Sequence, residues 1–311
     1  MHRRLSLVET FGLAPVSERL RETLLALRGD GLTPPSRFGV SSLGIFQPAL
    51  AASLWLGLRP RDRRVPIYNF FNRTPTPEAE GWSVRKTQPC DFRGGTRTYD
   101  SHNGTDFAVS PGTVVVAAAP ARVVRVSSEF NRGGLKVMLD HGHGVMTVSV
   151  HLGRALVRVG DVVARGEPVA LSGTSGLDFI VSLGLSAPHV HYNVWLDGLP
   201  VDPFARPGEE SLWRCRNDPA PHAGPPDAAV PATRFALERV AEGLAACRDQ
   251  ALASRIAALP DLGARAAALI FHLNYYPTRF TRRVSPYAEE HPRRGLLDLP
   301  FRAADFVGAR L

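Results

Sequence analysis

The chain has 311 residues, of which 44% are hydrophobic and 21% charged, a composition typical of a globular protein and unlike that of a disordered one. Its 37 basic and 29 acidic residues give a net charge of +8, but the arginines are scattered and no basic helix with interleaved aromatics occurs, so nucleic acid is not an expected partner. The odd number of cysteines, Cys90, Cys215 and Cys247, allows one disulfide at most and includes no CxxC pair.

The first predicted element is a helix over residues 15–28. Pro15 suits its first turn, Gly29 suits its end, and one side carries an apolar stripe made of Val16, Leu20, Leu24 and Leu27. We assign residues 1–80 to a partly helical N-terminal flank.

Two further segments complete this flank. The apolar stretch 43–58 contains Gln47 and Pro48 and is short for a membrane span, so we expect a buried segment and no stable transmembrane helix. Residues 59–80 are rich in Arg and Pro and are predicted to be irregular apart from the aromatic run IYNFFN at 67–72.

From about residue 82 the sequence changes to short β-branched runs broken by Gly, Pro and Asn, which predicts an antiparallel sheet or β-roll over residues 81–210. A Pro-rich linker is expected at 211–231. Residues 232–311 form a predicted C-terminal helical region, with two helices separated near Pro260 and an irregular tail.

The stretch HNGTDF places His102 and Asp106 four residues apart around Asn-Gly, a pair that disfavours a helix. In an extended chain an even spacing also returns to the same face, so both side chains are expected to converge on one point. A metal ion is the natural candidate for that point.

A second pair, in PHVHY, lies on a strand-like run. His189 and His191 are one residue apart, so they share a face of the strand. One of them, with His102 and Asp106, would give two nitrogens and one carboxylate oxygen, the open shell of a catalytic zinc site. The remaining histidines would suit proton transfer and charge stabilisation beside the metal.

A third group of histidines is expected to be unrelated to the metal. His141 and His143 in HGHG are each followed by glycine, which predicts turn or surface residues. His222, His272 and His291 have no partners at useful spacing and are expected to be structural.

The blocks HNGTDF, HLG and PHVHY, in this order, resemble the signature of the lysostaphin-type (LytM) zinc metallopeptidases, a family of peptidoglycan endopeptidases. The Gly-punctuated run VRVGDVVARGEPVALSGTSG and the closing DPF are also similar, and the resemblance covers about residues 82–207. It implies a mostly β fold, an antiparallel β-roll or sandwich of the duplicated hybrid motif type, here with α-helical N- and C-terminal flanks.

The resemblance also implies roles for five residues. His102, Asp106 and His191 would bind one Zn²⁺ per chain, whereas His151 and His189 would act on the attacking water and on the tetrahedral intermediate. The implied substrate is the stem peptides or cross-links of peptidoglycan.

Two features depart from the family pattern. Ser149 stands where an aromatic residue usually precedes the second block, two places before its histidine. Residues 177–188 are longer and more apolar than the usual polar turn, and they are expected to border the cleft, where they would affect substrate preference.

Three functions remain in competition. The first is zinc-dependent endopeptidase activity on peptidoglycan cross-links. The second is a non-catalytic zinc-binding or activator protein on the same fold, which regulates cell-wall hydrolases. The third is a carrier or phosphotransfer domain, although the turn GDVVARGEPVA lacks a lysine and excludes lipoylation there. The family implies the cell envelope, yet the N-terminus is a poor secretory signal.

The N-terminal flank raises a separate hypothesis of latency. Residues 67–82 run into the predicted catalytic region and include Asn69 and Asn72, whose amide oxygens are potential zinc ligands. In some members of the family an upstream asparagine fills the fourth position on the metal. The alternative is that the aromatic residues of this segment pack against the edge of the sheet.

Overall fold

A computed structural model describes residues 4–177, 179, 182, 184–225 and 232–311. The strands are β1 Arg64–Asn69, β2 Thr105–Ala108, β3 Val114–Val116, β4 Ala121–Glu129, β5 Gly134–Asp140, β6 Val145–Ala155, β7 Val162–Val163, β8 Pro168–Ser172, β9 His189–Leu196, β10 Leu199–Pro200 and β11 Gly308–Arg310. The helices are α1 Leu7–Phe11, α2 Val16–Arg28, α3 Pro48–Trp55, α4 Leu237–Ala245, α5 Gln250–Ala257 and α6 Leu262–Tyr275.

The strands form one sheet in the order β11-β1-β2-β9-β6-β5-β4-β7, with β10 paired to β9 and β8 linking β3 to β6. All of these pairs are antiparallel except β1 with β11. The predicted fold class, a mostly antiparallel β domain with helical flanks, is therefore confirmed.

Alternation along the strands divides the sheet into two buried faces. On β9, Val190, Tyr192 and Val194 enter the main core of the β-roll, whereas Trp195 joins a second cluster on the opposite face. Helix α6 covers that second face with Ile270 and other apolar side chains. The C-terminal region is thus packed directly against the strands that carry the site.

Residues 59–80 are not irregular as predicted, because they contain β1. This strand lies between β2 and β11, and it inserts Val65 and Ile67 into the main core. The partners of β1 lie far away in the sequence, and local composition does not reveal them.

The helix predicted over 15–28 is confirmed as α2, which ends at Gly29. Its apolar stripe is nevertheless exposed rather than buried, with Leu20 62% exposed. The stretch 43–58 is only partly buried. Ala51 and Leu54 pack on the sheet, while Leu43, Leu56 and Leu58 are exposed.

The C-terminal region contains three helices, α4 to α6, instead of the predicted two. The tail has little regular structure, as predicted, but its Leu297, Leu299 and Phe301 enter the main core and its end forms β11. Residues 226–231 of the predicted linker lie outside the described part of the chain.

Two remaining expectations concern the membrane and the cysteines. Within the described residues, none of the helices combines the length and apolar character needed to cross a membrane. Cys90, Cys215 and Cys247 are free thiols, so the one disulfide that the sequence allowed does not form.

Candidate metal centre

Neighbouring strands bring the predicted site residues to one place on the sheet. Asp106 on β2 pairs with His191 on β9 and, across its other edge, with Asn69 on β1. On the far side of β9, strand β6 carries His151 directly after the partner of His191. His102 precedes β2 and folds back over it, so residues far apart in sequence share one centre.

Three side-chain atoms meet at this centre. Nδ1 of His191 lies 2.8 Å from Oδ1 of Asp106, and Nε2 of His102 lies 3.0 Å from the same oxygen. The two nitrogens are 3.1 Å apart, and all three residues are buried. The pairing of His102 and Asp106 with one histidine of the HxH pair is therefore present in the structure, and that histidine is His191.

The chemistry of this donor set fits a divalent cation. Nδ1 of His102 donates to the carbonyl oxygen of Phe70 at 2.5 Å, so the lone pair of the neutral ring is on Nε2 and faces Asp106. Zinc ligands at tetrahedral positions about 2.0–2.1 Å from the metal lie roughly 3.3 Å apart, close to the separations found here. Two imidazoles and one carboxylate leave the fourth position for water.

The charge states also suit a metal site. Burial alone would raise the pKa of Asp106, but the neighbouring imidazoles of His102 and His189 hold it well below its usual value, so the carboxylate is ionised. Burial lowers the pKa of His191, which favours the neutral ring that a metal ligand requires.

Asn69 orients the carboxylate from the other side. Its Nδ2 donates to Oδ2 of Asp106 at 2.8 Å, which leaves Oδ1 facing the imidazoles. Asn72 is engaged elsewhere, because its amide bonds the backbone of Asp100, Thr74 and Cys90. The structure therefore gives Asn69 an orienting role and does not support an asparagine that blocks the metal.

The glycine of the HNGTDF block is explained by close approach. A Cβ added to Gly104 would lie 2.7 Å from Nε2 of His191 and 2.8 Å from the carbonyl oxygen of Tyr192. Only glycine allows the chain between His102 and Asp106 to pass this close to the third ligand.

His151 and His189 lie beside these three residues. Nδ1 of His151 donates to the carbonyl oxygen of Ser175 at 2.9 Å, and Nδ1 of His189 donates to that of Ala187 at 2.7 Å. Because a carbonyl only accepts, each neutral ring carries its lone pair on Nε2. The ring centroids are 4.7 Å apart, and Nε2 of His189 is 3.7 Å from Oδ1 of Asp106.

The backbone and pKa of His151 are both unusual. Its φ of 60° lies in the left-handed region, which is uncommon for a residue other than glycine and occurs often at functional sites. Burial, together with His189 and His191, holds the pKa of His151 well below its usual value. The ring is therefore neutral at pH 7 and able to accept a proton.

Two cavities of different character flank the centre. An apolar cavity of about 360 Å³ borders Asp106, His151 and His189. Its wall combines the N-terminal flank with the long loop before β9, and includes Phe38, Leu43, Ile45, Phe46, Ser182, Leu185 and Ser186. A separate cavity of about 730 Å³ borders His102. Its lining includes Arg73, Arg132 and Arg283.

Residues of the long loop before β9 line the apolar cavity, so this loop borders the cleft, as the sequence predicted. Asp178, Ile180, Val181 and Leu183 of this loop lie outside the described residues. Ser149, the departure from the aromatic pattern, is buried on β6.

The other histidines lie apart from the three convergent ligands. His141 and His143 are in the β5–β6 turn, as predicted, but His141 is buried, with Nδ1 bonded to the carbonyl oxygen of Pro120 and Nε2 paired with Oγ1 of Thr147. His222 and His291 lie near carboxylates at 3.4 and 2.7 Å.

Sequence reasoning missed the residues that surround His191. Its Nε2 faces Oδ1 of Asn103, and Asn103 in turn bonds Asn193, which accepts a hydrogen bond from Tyr275. Asn193 is two residues after His191 on the same strand face, a period-two signal that was available. Tyr275 belongs to α6, and no local pattern places it near the site.

Comparison with known proteins agrees with this geometry. Residues 100–203 match the model of peptidase family M23. Over 103 residues the chain is 40% identical to a Haemophilus influenzae protein named an uncharacterized metalloprotease, covering 33% of this chain and 20% of that one. Over 107 residues it is 36% identical to the peptidoglycan DD-endopeptidase ShyA of Vibrio cholerae, covering 34% and 23%. The chain thus spans less than a quarter of these two relatives.

Solved structures of similar proteins include a zinc-containing peptidase from Vibrio cholerae, with 28% identity, a TM-score of 0.34, and coverage of 46% of this chain and 37% of that one. Another is the catalytic domain of lysostaphin from Staphylococcus simulans, with 29% identity, a TM-score of 0.27, and coverage of 30% and 67%.

Proposed function

We propose, from the premise that residues 100–203 form a peptidase family M23 domain, that this chain is a zinc-dependent endopeptidase that hydrolyses peptide bonds in peptidoglycan cross-links. The observation that carries the proposal is the convergence of His102, Asp106 and His191 beside two further imidazoles at one end of an apolar cavity. The names of the relatives support the substrate class.

In this proposal His102, Asp106 and His191 hold the metal. Zinc would polarise the scissile carbonyl and lower the pKa of a water molecule. His151 and His189 present Nε2 lone pairs because both Nδ1 hydrogens are donated to backbone carbonyls. Either ring can take the proton of the attacking water. While it is charged it stabilises the negative oxygen of the intermediate, and it then passes the proton to the leaving amine.

The substrate would lie at the centre, since two cavities border the ligands. The apolar side would take small uncharged side chains of a stem peptide, next to Phe38 and Leu185. The cavity that borders His102 is more polar, and two of its arginines, Arg73 and Arg283, already pair with carboxylates of the protein.

One observation favours a second candidate, a zinc-binding regulator of cell-wall hydrolases. His102 and Asp106 are each only 1% exposed, so the prospective ligands present almost no surface of their own to a substrate. A regulator would retain the zinc without turning over substrate.

Digestion of purified sacculi separates the two candidates. The full chain, with zinc content measured, is incubated with sacculi with and without a chelator, and mass spectrometry identifies the products. Chelator-sensitive release of cleaved cross-links, at about one zinc per chain, is the expected result. A zinc-loaded protein that releases no fragment supports the regulator, and a protein without zinc overturns both.

A further inference from the structure

A chain of buried and partly buried hydrogen bonds connects the C-terminal helix to the candidate metal centre. The hydroxyl of Tyr275, at the end of α6, donates to Oδ1 of Asn193 at 2.8 Å. Nδ2 of Asn193 donates at 2.8 Å both to the carbonyl oxygen and to Oδ1 of Asn103. Oδ1 of Asn103 lies 3.3 Å from Nε2 of His191.

Geometry fixes the direction of these bonds. The backbone carbonyl of Asn103 only accepts, so the side-chain nitrogen of Asn193 must face it and the side-chain oxygen must face Tyr275. Burial raises the pKa of Tyr275 well above its usual value, so the phenol keeps its proton and donates. Asn193 has no exposed surface at which water could replace this donor.

The direction matters for His191. Its Nδ1 faces Asp106 and His102, so metal binding requires the hydrogen of the neutral ring to be on Nε2. Oδ1 of Asn103 is then its acceptor. Nδ2 of Asn193 also lies 3.0 Å from Nε2, where it would donate to the opposite tautomer if it were not held on Asn103.

We infer that Tyr275 is a positioning residue for the metal ligand His191, and that helix α6 thereby completes the metal centre. The hydroxyl holds Asn193, Asn193 holds Asn103, and Asn103 accepts from the imidazole that faces the metal. The inference rests on the proposed role of His191 as a ligand. It extends that site beyond the matched family region, because α6 begins 59 residues after its end at residue 203.

Zinc affinity of the full chain tests this inference. Tyr275→Phe removes only the hydroxyl and keeps the ring that packs on Phe271 and Trp195. We expect its dissociation constant for zinc, measured by competition with a chromophoric chelator, to rise about threefold to tenfold, less than the tenfold to hundredfold usual when the direct partner of a ligand is lost. Thermal unfolding of the zinc-free proteins is measured in parallel.

A matched control is available in the same apolar cluster. The hydroxyl of Tyr287 is buried without a hydrogen-bond partner in the described residues, so Tyr287→Phe makes the same atomic change away from the network. Its zinc affinity is expected to stay within about twofold of the wild type. A merely structural role of Tyr275 would lower the unfolding temperature of the zinc-free protein and leave the zinc affinity unchanged, which would overturn the inference.

A double-mutant cycle tests the route through Asn193. Asn193→Ala is expected to weaken zinc binding by itself, and Tyr275→Phe should then add less than about twofold in that background. An undiminished effect of Tyr275→Phe there would show that Asn193 is not the link. Failure of the wild type to bind zinc would instead refute the proposed function, together with any positioning role.

Discussion

The role proposed for each residue of the site depends on which of its side-chain atoms already makes a hydrogen bond or close contact with a neighbour. His102 uses Nδ1 on a backbone carbonyl and turns Nε2 towards Asp106, whereas His191 turns Nδ1 towards the same oxygen. His151 and His189 also use Nδ1 on carbonyls, but they border the apolar cavity. The three prospective ligands differ from the two prospective bases because only the donor atoms of His102, Asp106 and His191 all lie close to one another.

Substitution of the five residues should therefore divide them into two classes. His102→Ala, Asp106→Ala and His191→Ala are expected to lose zinc and activity together, because two remaining ligands do not retain the ion tightly. His151→Ala and His189→Ala should keep zinc and lose at least about a hundredfold in turnover. Metal analysis and kinetics of each purified variant test this. Zinc loss in His189→Ala but not in His191→Ala would reverse the roles within the pair.

The prediction for Gly104 depends only on whether there is room for a side chain at this position. In Gly104→Ala the new methyl group would lie 2.7 Å from Nε2 of His191, so the ligand must move, and we expect zinc affinity to fall about tenfold or more. Gly31→Ala is the control, because its added Cβ meets nothing within 4 Å. Equal zinc affinities of the two variants, measured by chelator competition, would show that the ligand tolerates the displacement.

At the scale of elements, the sequence allowed good predictions wherever a signal was local. The period of two in PHVHY predicted the shared face of β9. The HxxxD motif predicted that His102 and Asp106 converge, although His102 lies before β2 and not on it. β1 was missed because its Arg and Pro content disfavours a strand, and pairing with β2 and β11 overrides that preference. The apolar stripe of α2 correctly predicted a helix, but periodicity alone does not show whether other residues bury that stripe.

In the β5–β6 turn, too, the sequence predicts the local structure but not the burial of a side chain. The glycines of HGHG predict the turn, yet they do not reveal that His141 folds inward. Burial lowers the pKa of His141 to about 4, despite its bonds to backbone carbonyls. The buried ring is therefore neutral in the folded protein over a range of pH in which it is charged after unfolding.

This turn should make the folded state sensitive to acid. Above pH 6.5 the ring is neutral in both states, but between pH 6.5 and 4 only the unfolded state binds the proton, so stability falls as the pH falls. Between pH 6.5 and 5 this residue alone should cost about 2 kcal/mol of unfolding free energy. Urea unfolding of zinc-free wild type and His141→Gln tests this, and the variant should lose less stability over that interval. Parallel curves would mean that His141 is protonated in the folded protein.

At the scale of the whole molecule, the flanks complete the peptidase domain. The N-terminal flank supplies β1 and part of the cavity wall, and the C-terminal region supplies β11, α6 and the tail residues in the core. The division at residues 81, 211 and 232 remains a prediction, although β1 lies before the first boundary. Composition marked these boundaries, but packing between distant segments leaves no local trace in the sequence.

Removal of residues 1–80 therefore tests whether the N-terminal flank is inhibitory or structural. The deletion takes away Val65, Ile67 and Phe70, whose burial contributes roughly 5–9 kcal/mol in total, comparable with the whole stability of a typical domain of about 5–15 kcal/mol. It also exposes the edge of β2 that Asn69 and its neighbours cover, directly beside Asp106. We expect insoluble protein without zinc. A deletion of residues 1–29 keeps α3 and β1 and is the matched control, and it should remain soluble and bind zinc because the deleted helices α1 and α2 expose most of their large apolar side chains. Solubility, circular dichroism and zinc content check both proteins.

A soluble, zinc-loaded protein lacking residues 1–80, with activity raised several-fold, would instead establish the flank as an inhibitor, because β1 would then be dispensable for the fold.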